Sequence, residues 1–442
     1  MFYNPAIHNF PGVALLMKRL IAVLLFLCTL AFAQSTPNNV VVVKAGHLLD
    51  VKTGQYQNNV NIVIESGVIK SVGSGAPPAG AKVIDLSNAT VLPGLTDAHT
   101  HLTYDAGDVG LKGLTISPEK EALNGAGNAR ITLLAGFTTV RNVGARAFAD
   151  VALRDAINDG HVPGPRMLVS GPALSISGGH GDNNLQPWED HSYGDGVADG
   201  VDAVQHKVRD NIKYGADVIK FMATGGVMSK GDNPEHSQYT LEEMKMIVSE
   251  AHRFGRKVAA HAHGVQGIMW ATEAGVDSIE HGTYINDEAI ALMKQHGTYL
   301  VPTLYLTEWL PENADKIGIP PYVKAKMNVV LPLLRKNISH AFASGVKVAF
   351  GTDAAVYPHG LNGHEFKTYV DLGMTPLQAI QSSTIGAPDL LGMTDKIGTV
   401  EAGKFGDLIA VTGDPLKDIT ELQRVKFVMK GGEVYKDEIH AH

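Results

Sequence analysis

Asp97-Ala98-His99-Thr100-His101 follows directly on the strand-like run Val91-Leu92-Pro93-Gly94-Leu95. Residues at i and i+2 of a strand point the same way, so His99 and His101 can present two imidazole nitrogens to one divalent metal. Alone, a His-X-His pair in a chain with 19 histidines is weak evidence. Further short apolar or β-branched runs, however, also close on residues with ligand or acid-base chemistry. Lys220 ends Ala216-Asp217-Val218-Ile219-Lys220, His261 ends Val258-Ala259-Ala260-His261, His281 ends Ser278-Ile279-Glu280-His281, and Asp353 ends Val348-Ala349-Phe350-Gly351-Thr352-Asp353. Chemistry placed at successive strand ends constrains the fold, because the strand ends of a parallel α/β barrel converge and sequence separation is then no obstacle to a joint site.

The intervening chain supports that reading. Strand-like and helix-like segments alternate, which argues for βα units. Candidate barrel strands are 91–97, 137–141, 166–171, 216–221, 257–262, 277–281, 298–302 and 347–352, matching the eight that a closed (β/α)8 TIM barrel needs. Helices are clearest at Leu241 to Phe254, where Thr240 and Glu243 form a capping box, and at Tyr322 to Ser344. The irregular stretches 172–200 and 222–239 follow candidate strands and fall over the barrel mouth. The two chain ends read as β-rich: Val40-Val41-Val42-Val43, Val60-Asn61-Ile62-Val63-Ile64 and Val68-Ile69-Lys70-Ser71-Val72 on one side, Leu408-Ile409-Ala410-Val411 and Val425-Lys426-Phe427-Val428-Met429 on the other. They are expected to pair as a small β-sandwich domain from 34–90 and 395–442, with the barrel over 91–394 inserted between them.

The ordered set His-X-His, Lys, His, His, Asp on strand ends resembles the amidohydrolase superfamily over nearly the whole chain. Gly178-Gly179-His180-Gly181-Asp182, Thr224-Gly225-Gly226-Val227-Met228-Ser229 and Ala260-His261-Ala262-His263-Gly264 are similar to the branch of imidazolonepropionase relatives, Xaa-Pro and Xaa-Lys/Arg dipeptidases and ochratoxin-hydrolysing amidases. His99, His101, Lys220, His261, His281 and Asp353 are too many ligands for one tetrahedral ion, so two divalent ions are implied, zinc by default. A protonated lysine cannot ligate a cation. The resemblance implies that Lys220 reacts with carbon dioxide to a bridging carbamate, with His99, His101 and Asp353 on one ion and His261 and His281 on the other. It further implies a hydroxide held between the ions as nucleophile and Asp353 as proton shuttle.

Around this set, His263 shares the facing of His261 and is a candidate for binding the tetrahedral intermediate or a substrate carboxylate. Tyr239 matches a mouth-loop tyrosine that polarises the carbonyl in related dipeptidases, or else packs in the interior. His180 lies in a Gly-rich loop and is a substrate-binding candidate. Arg141 either binds a terminal carboxylate or braces the barrel rim. His359, His364, His440 and His442 read as surface or tail residues.

The expected activity is hydrolysis of the amide bond to a C-terminal amino acid in dipeptides or N-acyl amino acids, with ochratoxin A among the conceivable substrates. A mononuclear imidazolonepropionase-like cyclic amidohydrolase or deaminase is the alternative, disfavoured by Lys220. A catalytically inactive exported binding protein is the third reading, disfavoured by the complete ligand set. The formal charge of -8 with no basic block gives no footing for nucleic acid. A homo-oligomer without a stable membrane anchor is expected. Met17-Lys18-Arg19, the apolar stretch Leu20 to Leu30 and the small-X-small sequence Ala31-Phe32-Ala33 read as a signal peptide over 1–33, with 1–16 as an upstream extension. Export to the periplasm or the medium follows. Cys28, the single cysteine, falls inside that segment, so neither disulfides nor thiol chemistry is expected after cleavage. A lipid anchor on Cys28 is disfavoured by the bulk of Leu27.

Overall fold

The computed structural model describes residues 40–108, 111–182 and 194–440. The expected signal segment 1–33, its extension 1–16, Cys28 and His442 lie outside the described residues. No helix among the described residues is long and apolar enough to cross a membrane.

The N-terminal strands β1 (Val40–Asp50), β2 (Gln55–Glu65), β3 (Val68–Gly73) and β4 (Lys82–Pro93) join β12 (Leu408–Val411), β13 (Phe427–Lys430) and β14 (Glu433–Asp437). β2 and β3 meet through Ser66-Gly67, both at positive φ, as a tight hairpin turn requires. A side chain at Gly67 would also meet the Gly431 carbonyl oxygen at 2.9 Å. The two chain ends therefore share a sheet, as expected, and Val43, Ile62, Ile64, Leu86, Ala410, Phe427 and Met429 give it a core of its own. Its hydrogen bonding is nevertheless one continuous seven-stranded sheet, in the order β14-β13-β12-β4-β1-β2-β3, where two sandwich layers were expected. The cause is β4, which bonds β1 along one edge and β12 along the other. β4 also runs to Pro93, so the expected boundary at 90 and the expected first barrel strand from 91 both fall inside it.

Only Gly94 separates β4 from β5 (Leu95–Thr100), and a Cβ there would lie 2.2 Å from Thr138 Oγ1. β5, β6 (Phe137–Asn142) and β7 (Arg166–Val169) form a parallel three-stranded sheet; β8 (Val218–Met222), β9 (Lys257–Ala262), β10 (Ser278–His281) and β11 (Tyr299–Val301) form a parallel four-stranded one. Leu174 links one pair of edges, donating to Lys220 O at 2.8 Å and accepting from Met222 N at 2.9 Å. The segment 347–354 links the other pair: Leu300 donates to Lys347 O at 2.8 Å and Ala98 to Phe350 O at 2.8 Å. The expected eighth strand, 347–352, is thus present only as extended chain with single bridges from Val348 to Leu300 and from Ala354 to Thr100. Its ladder breaks because Phe350 N bonds Ser382 O, outside the strands, and Asp353 turns into the left-handed region at φ 58°.

Helices alternate with these strands along the chain. Leu241–Arg253 buries Met244, Ile247, Val248 and Ala251, the 3.6-residue period that its sequence predicts, and its Thr240–Glu243 capping box is formed. The expected long helix is Pro321–Ala343. Each fully buried aliphatic side chain here contributes roughly 1.5–3 kcal/mol. That apolar mantle leaves the polar strand-end residues converging on one central cavity.

Candidate metal centre

A cavity of about 310 Å³ is lined by His99, His101, Lys220, His261, His281 and Asp353 together. Every strand-end residue singled out in the sequence is therefore brought to one place. The imidazoles of His99 and His101 are 5.4 Å apart, those of His99 and His281 5.0 Å, and those of His261 and His281 4.8 Å. Asp353 Oδ1 stands 3.4 Å from Nε2 of both His99 and His101. Burial lowers the basicity of His101, His261 and His281, favouring neutral rings with a lone pair to offer. Burial alone would keep Asp353 protonated, but His99 and His101 hold it well below the usual carboxylate range.

Backbone conformation completes this arrangement. Strict alternation would send Glu280 and His281 to opposite faces of β10. His281 instead adopts φ 69°, and its ring turns in beside His261 while Glu280 also points inward. Left-handed residues other than glycine cost about 1–2 kcal/mol each, so His281 and Asp353 are held there by their surroundings. One such contact is His281 Nδ1 to Thr303 Oγ1 at 2.7 Å.

The donor set fits divalent cations. Ligand atoms of His99, His281 and Asp353 lie within 4.8 Å of one another, and so do those of His261, His263 and His281. Neutral imidazoles with one carboxylate are the donors that zinc and its neighbours take. Lys220 sits among them with 1 % exposure, its amine pushed down to about 8 by burial, against the opposing pull of Glu280 and Asp353.

The other candidates divide. His263 and His180 line the cavity. His263 Nδ1 is 2.6 Å from Thr283 Oγ1, and the His180 ring stacks on His261 at 4.4 Å. Burial moves His180 down to about 4, so its ring is neutral near pH 7. Tyr239 does not reach the cavity: it is 1 % exposed, packs edge-on against Phe221 and donates its hydroxyl to Ala198 O at 3.1 Å. Arg141 does not reach it either. Fully buried, it donates to Ala98 O at 2.5 Å, Ser278 Oγ at 3.0 Å and Glu280 Oε1 at 2.8 Å, so it braces the interior. His359, expected at the surface, is only 9 % exposed and lies 2.9 Å from Tyr104 O. His364 is half-buried against Tyr305, and His440 is exposed beside Asp437.

Sequence reasoning gave no role to Glu280, Arg146 or the apolar wall. Glu280 carried a signal, being a charge inside an apolar strand run that must find a partner when buried. Arg146, paired with Glu121, lines the outer side of the cavity. Leu306, Leu310, Leu331 and Leu334 line another side, and nothing local distinguishes them from ordinary helix-core leucines.

The amidohydrolase family model matches residues 90–435. The chain belongs to the amidohydrolase family. It is 36% identical over 435 residues to ochratoxinase of Aspergillus niger, covering 92% of this chain and 89% of that one. It is 26% identical over 388 residues to imidazolonepropionase of Treponema denticola, covering 79% and 84%. The crystal structure of a Xaa-Pro dipeptidase with bound methionine in the active site matches with a TM-score of 0.85 at 39% identity, covering 90% of this chain and all of that one. This amidohydrolase is accordingly an enzyme that hydrolyses amide bonds, with the His and Asp groups that a metal requires.

Proposed function

We propose that this amidohydrolase releases a C-terminal amino acid from dipeptides or N-acyl amino acids, on a (β/α)8 barrel that binds two divalent ions, zinc by donor preference. The observation that carries the reading is the convergence of Lys220 with His99, His101, His261, His281 and Asp353 on one cavity. His99, His101 and Asp353 would hold one ion and His261 and His281 the other, with Lys220, carboxylated by carbon dioxide, shared between them. Bound ions of this kind acidify water and polarise an amide carbonyl.

The chain's own groups do the rest. Asp353, ionised and facing the cavity, takes up the proton released as water attacks and returns it to the leaving nitrogen. His263 and Arg146 line the cavity where a substrate carboxylate would be held, the part for which the sequence offered His263 and Arg141. The leucine wall takes an apolar substituent and excludes water. Relatives described as ochratoxinase and Xaa-Pro dipeptidase support an amide to a terminal amino acid. The cyclic amidohydrolase reading rests on the lower identity to imidazolonepropionase and leaves Lys220 without a role. Export by cleavage after Ala33 belongs to the same proposal, and N-terminal sequencing of the mature protein tests it.

The deciding experiment is a hydrolysis screen of N-acyl amino acids and Xaa-Pro, Xaa-Lys and Xaa-Phe dipeptides, each compared with its C-terminal amide or methyl ester. Turnover of the free acids and a large loss on esterification are expected, since the carboxylate fixes the scissile carbonyl. Equal efficiency for both forms would overturn the carboxylate requirement.

A further inference from the structure

His180, on the loop after β7, is tied to a chain of polar groups that ends on the helix Pro321–Ala343. Its Nδ1 lies 2.7 Å from Ser229 Oγ, and the same hydroxyl lies 2.7 Å from Asp232 Oδ1. Asp232 Oδ1 accepts from Lys326 Nζ at 2.6 Å, and Oδ2 accepts from Gly226 N at 2.8 Å. Lys326 gives its remaining protons to Gly226 O at 2.8 Å and Ser229 O at 3.0 Å. An ammonium has three donors, and here all three are used.

Counting protons along this chain fixes the direction of every bond. Asp232, ion-paired to Lys326, can only accept, so the single hydroxyl proton of Ser229 goes to Asp232 at 2.7 Å rather than to Gly226 O at 3.4 Å. Ser229 must then accept from Nδ1–H of His180. The second ring nitrogen, Nε2, has no partner among the described residues, and the ring lines the cavity. The ring is also fixed in place: it stacks on His261, and a Cβ on Gly226 would approach its Cε1 to 2.1 Å.

We infer that Ser229, Asp232 and Lys326 are positioning residues that hold His180 as the Nδ1–H tautomer, so that Nε2 accepts a hydrogen bond from an N–H group of the substrate. The inference deepens the proposed function and rests on it for the identity of the substrate. It gives the substrate-binding candidate His180 a definite partner, because a lone pair repels a carboxylate and welcomes an amide or amine proton. Lys326 reaches this loop from a helix far along the chain, so replacing it acts on the cavity without entering it.

The test is 15N NMR of histidine-labelled protein, with the His180 signals assigned by their loss in His180→Gln. A protonated Nδ1 and a bare Nε2 are expected in the wild type; the reverse tautomer or a cationic ring overturns the inference. Ser229→Ala and Lys326→Met should mix the tautomers and lower kcat by about 10- to 100-fold, as loss of partners behind a catalytic group does. Lys326→Arg should restore both. An unchanged His180 spectrum in Lys326→Met, or a kcat loss there without any spectral change, also overturns it. The tautomer is read without substrate, so an enzyme inactive on every dipeptide and N-acyl amino acid would defeat the proposed function and leave this measurement standing.

Discussion

Glu280 Oε2 lies 2.7 Å from Nδ1 of His99, with both side chains sealed from solvent. The other carboxylate oxygen accepts from Arg141 and from Ser278 Oγ. Burial opposes ionisation of Glu280, but Arg141, then His99, outweighs it and holds the group down to about 2. An ionised carboxylate only accepts, so His99 donates to it through Nδ1, which leaves Nε2 as the nitrogen that faces Asp353 and the cavity. Glu280 is thereby the partner that fixes how His99 can ligate.

Glu280→Gln keeps the shape and weakens that partner. Metal affinity, measured by competition with a chelator, should fall by about 10- to 100-fold, the usual cost of losing a partner behind a ligand histidine. An affinity equal to wild type would show that His99 needs no such support.

Arg141→Met leaves Glu280 as an unpaired buried charge and should cost about 3–5 kcal/mol in urea unfolding of the metal-free protein near pH 7. The sign with pH follows from Glu280. Folding lowers its pKa from 4.5 to about 2, so its contribution is complete above about 4.5 and is lost as pH falls toward 2. The gap between wild type and variant should narrow over that window. The preference for free acid over ester substrates should stay as it is, since Arg141 lies outside the cavity; a selective rise in KM for the free acid would return Arg141 to the substrate.

Lys220→Ala should lose at least one metal equivalent and nearly all turnover, with partial recovery in acetate, which supplies a small carboxylate in the space vacated. Metal content read by mass spectrometry at the wild-type level, with wild-type turnover, would end the two-ion reading.

Carboxylation needs the neutral amine, and burial brings Lys220 down to about 8 from 10.5. Uptake of 13C-bicarbonate by metal-free protein should therefore rise with pH through about 8 rather than near 10.5. A carbamate signal that appears only above pH 10 would mean that the lysine is not poised in this way.

Asp353→Asn preserves size and removes the base. Turnover should fall by about two orders of magnitude or more with a modest change in KM, in line with general-base contributions. A wild-type kcat with a raised KM would assign Asp353 to substrate binding.

The parts of this site legible from sequence were those with local signals. His99 and His101 show their common facing through the period of a strand, and Lys220, His261 and Asp353 each break an apolar run at its end. The capping box at Thr240 and Glu243 marked its helix for the same reason. Tyr239 and Arg141 were ambiguous because a polar tip can either meet solvent and substrate or find a buried partner. Only the positions of Ala198 O and of Glu280 decide between those fates.

The sequence by itself determined which polar side chains meet at the cavity and that βα units intervene between them, because apolar periodicity and capping are written within a few residues. Tertiary structure alone decided their orientation: the left-handed turn of His281, the Glu280 carboxylate between His99 and Arg141, and the reach of Lys326 to Asp232. It also merged both chain ends into one sheet through the two edges of β4. These outcomes depend on groups far apart in the chain that must satisfy each other's hydrogen bonds once water is excluded, and no local pattern encodes which partner will be there.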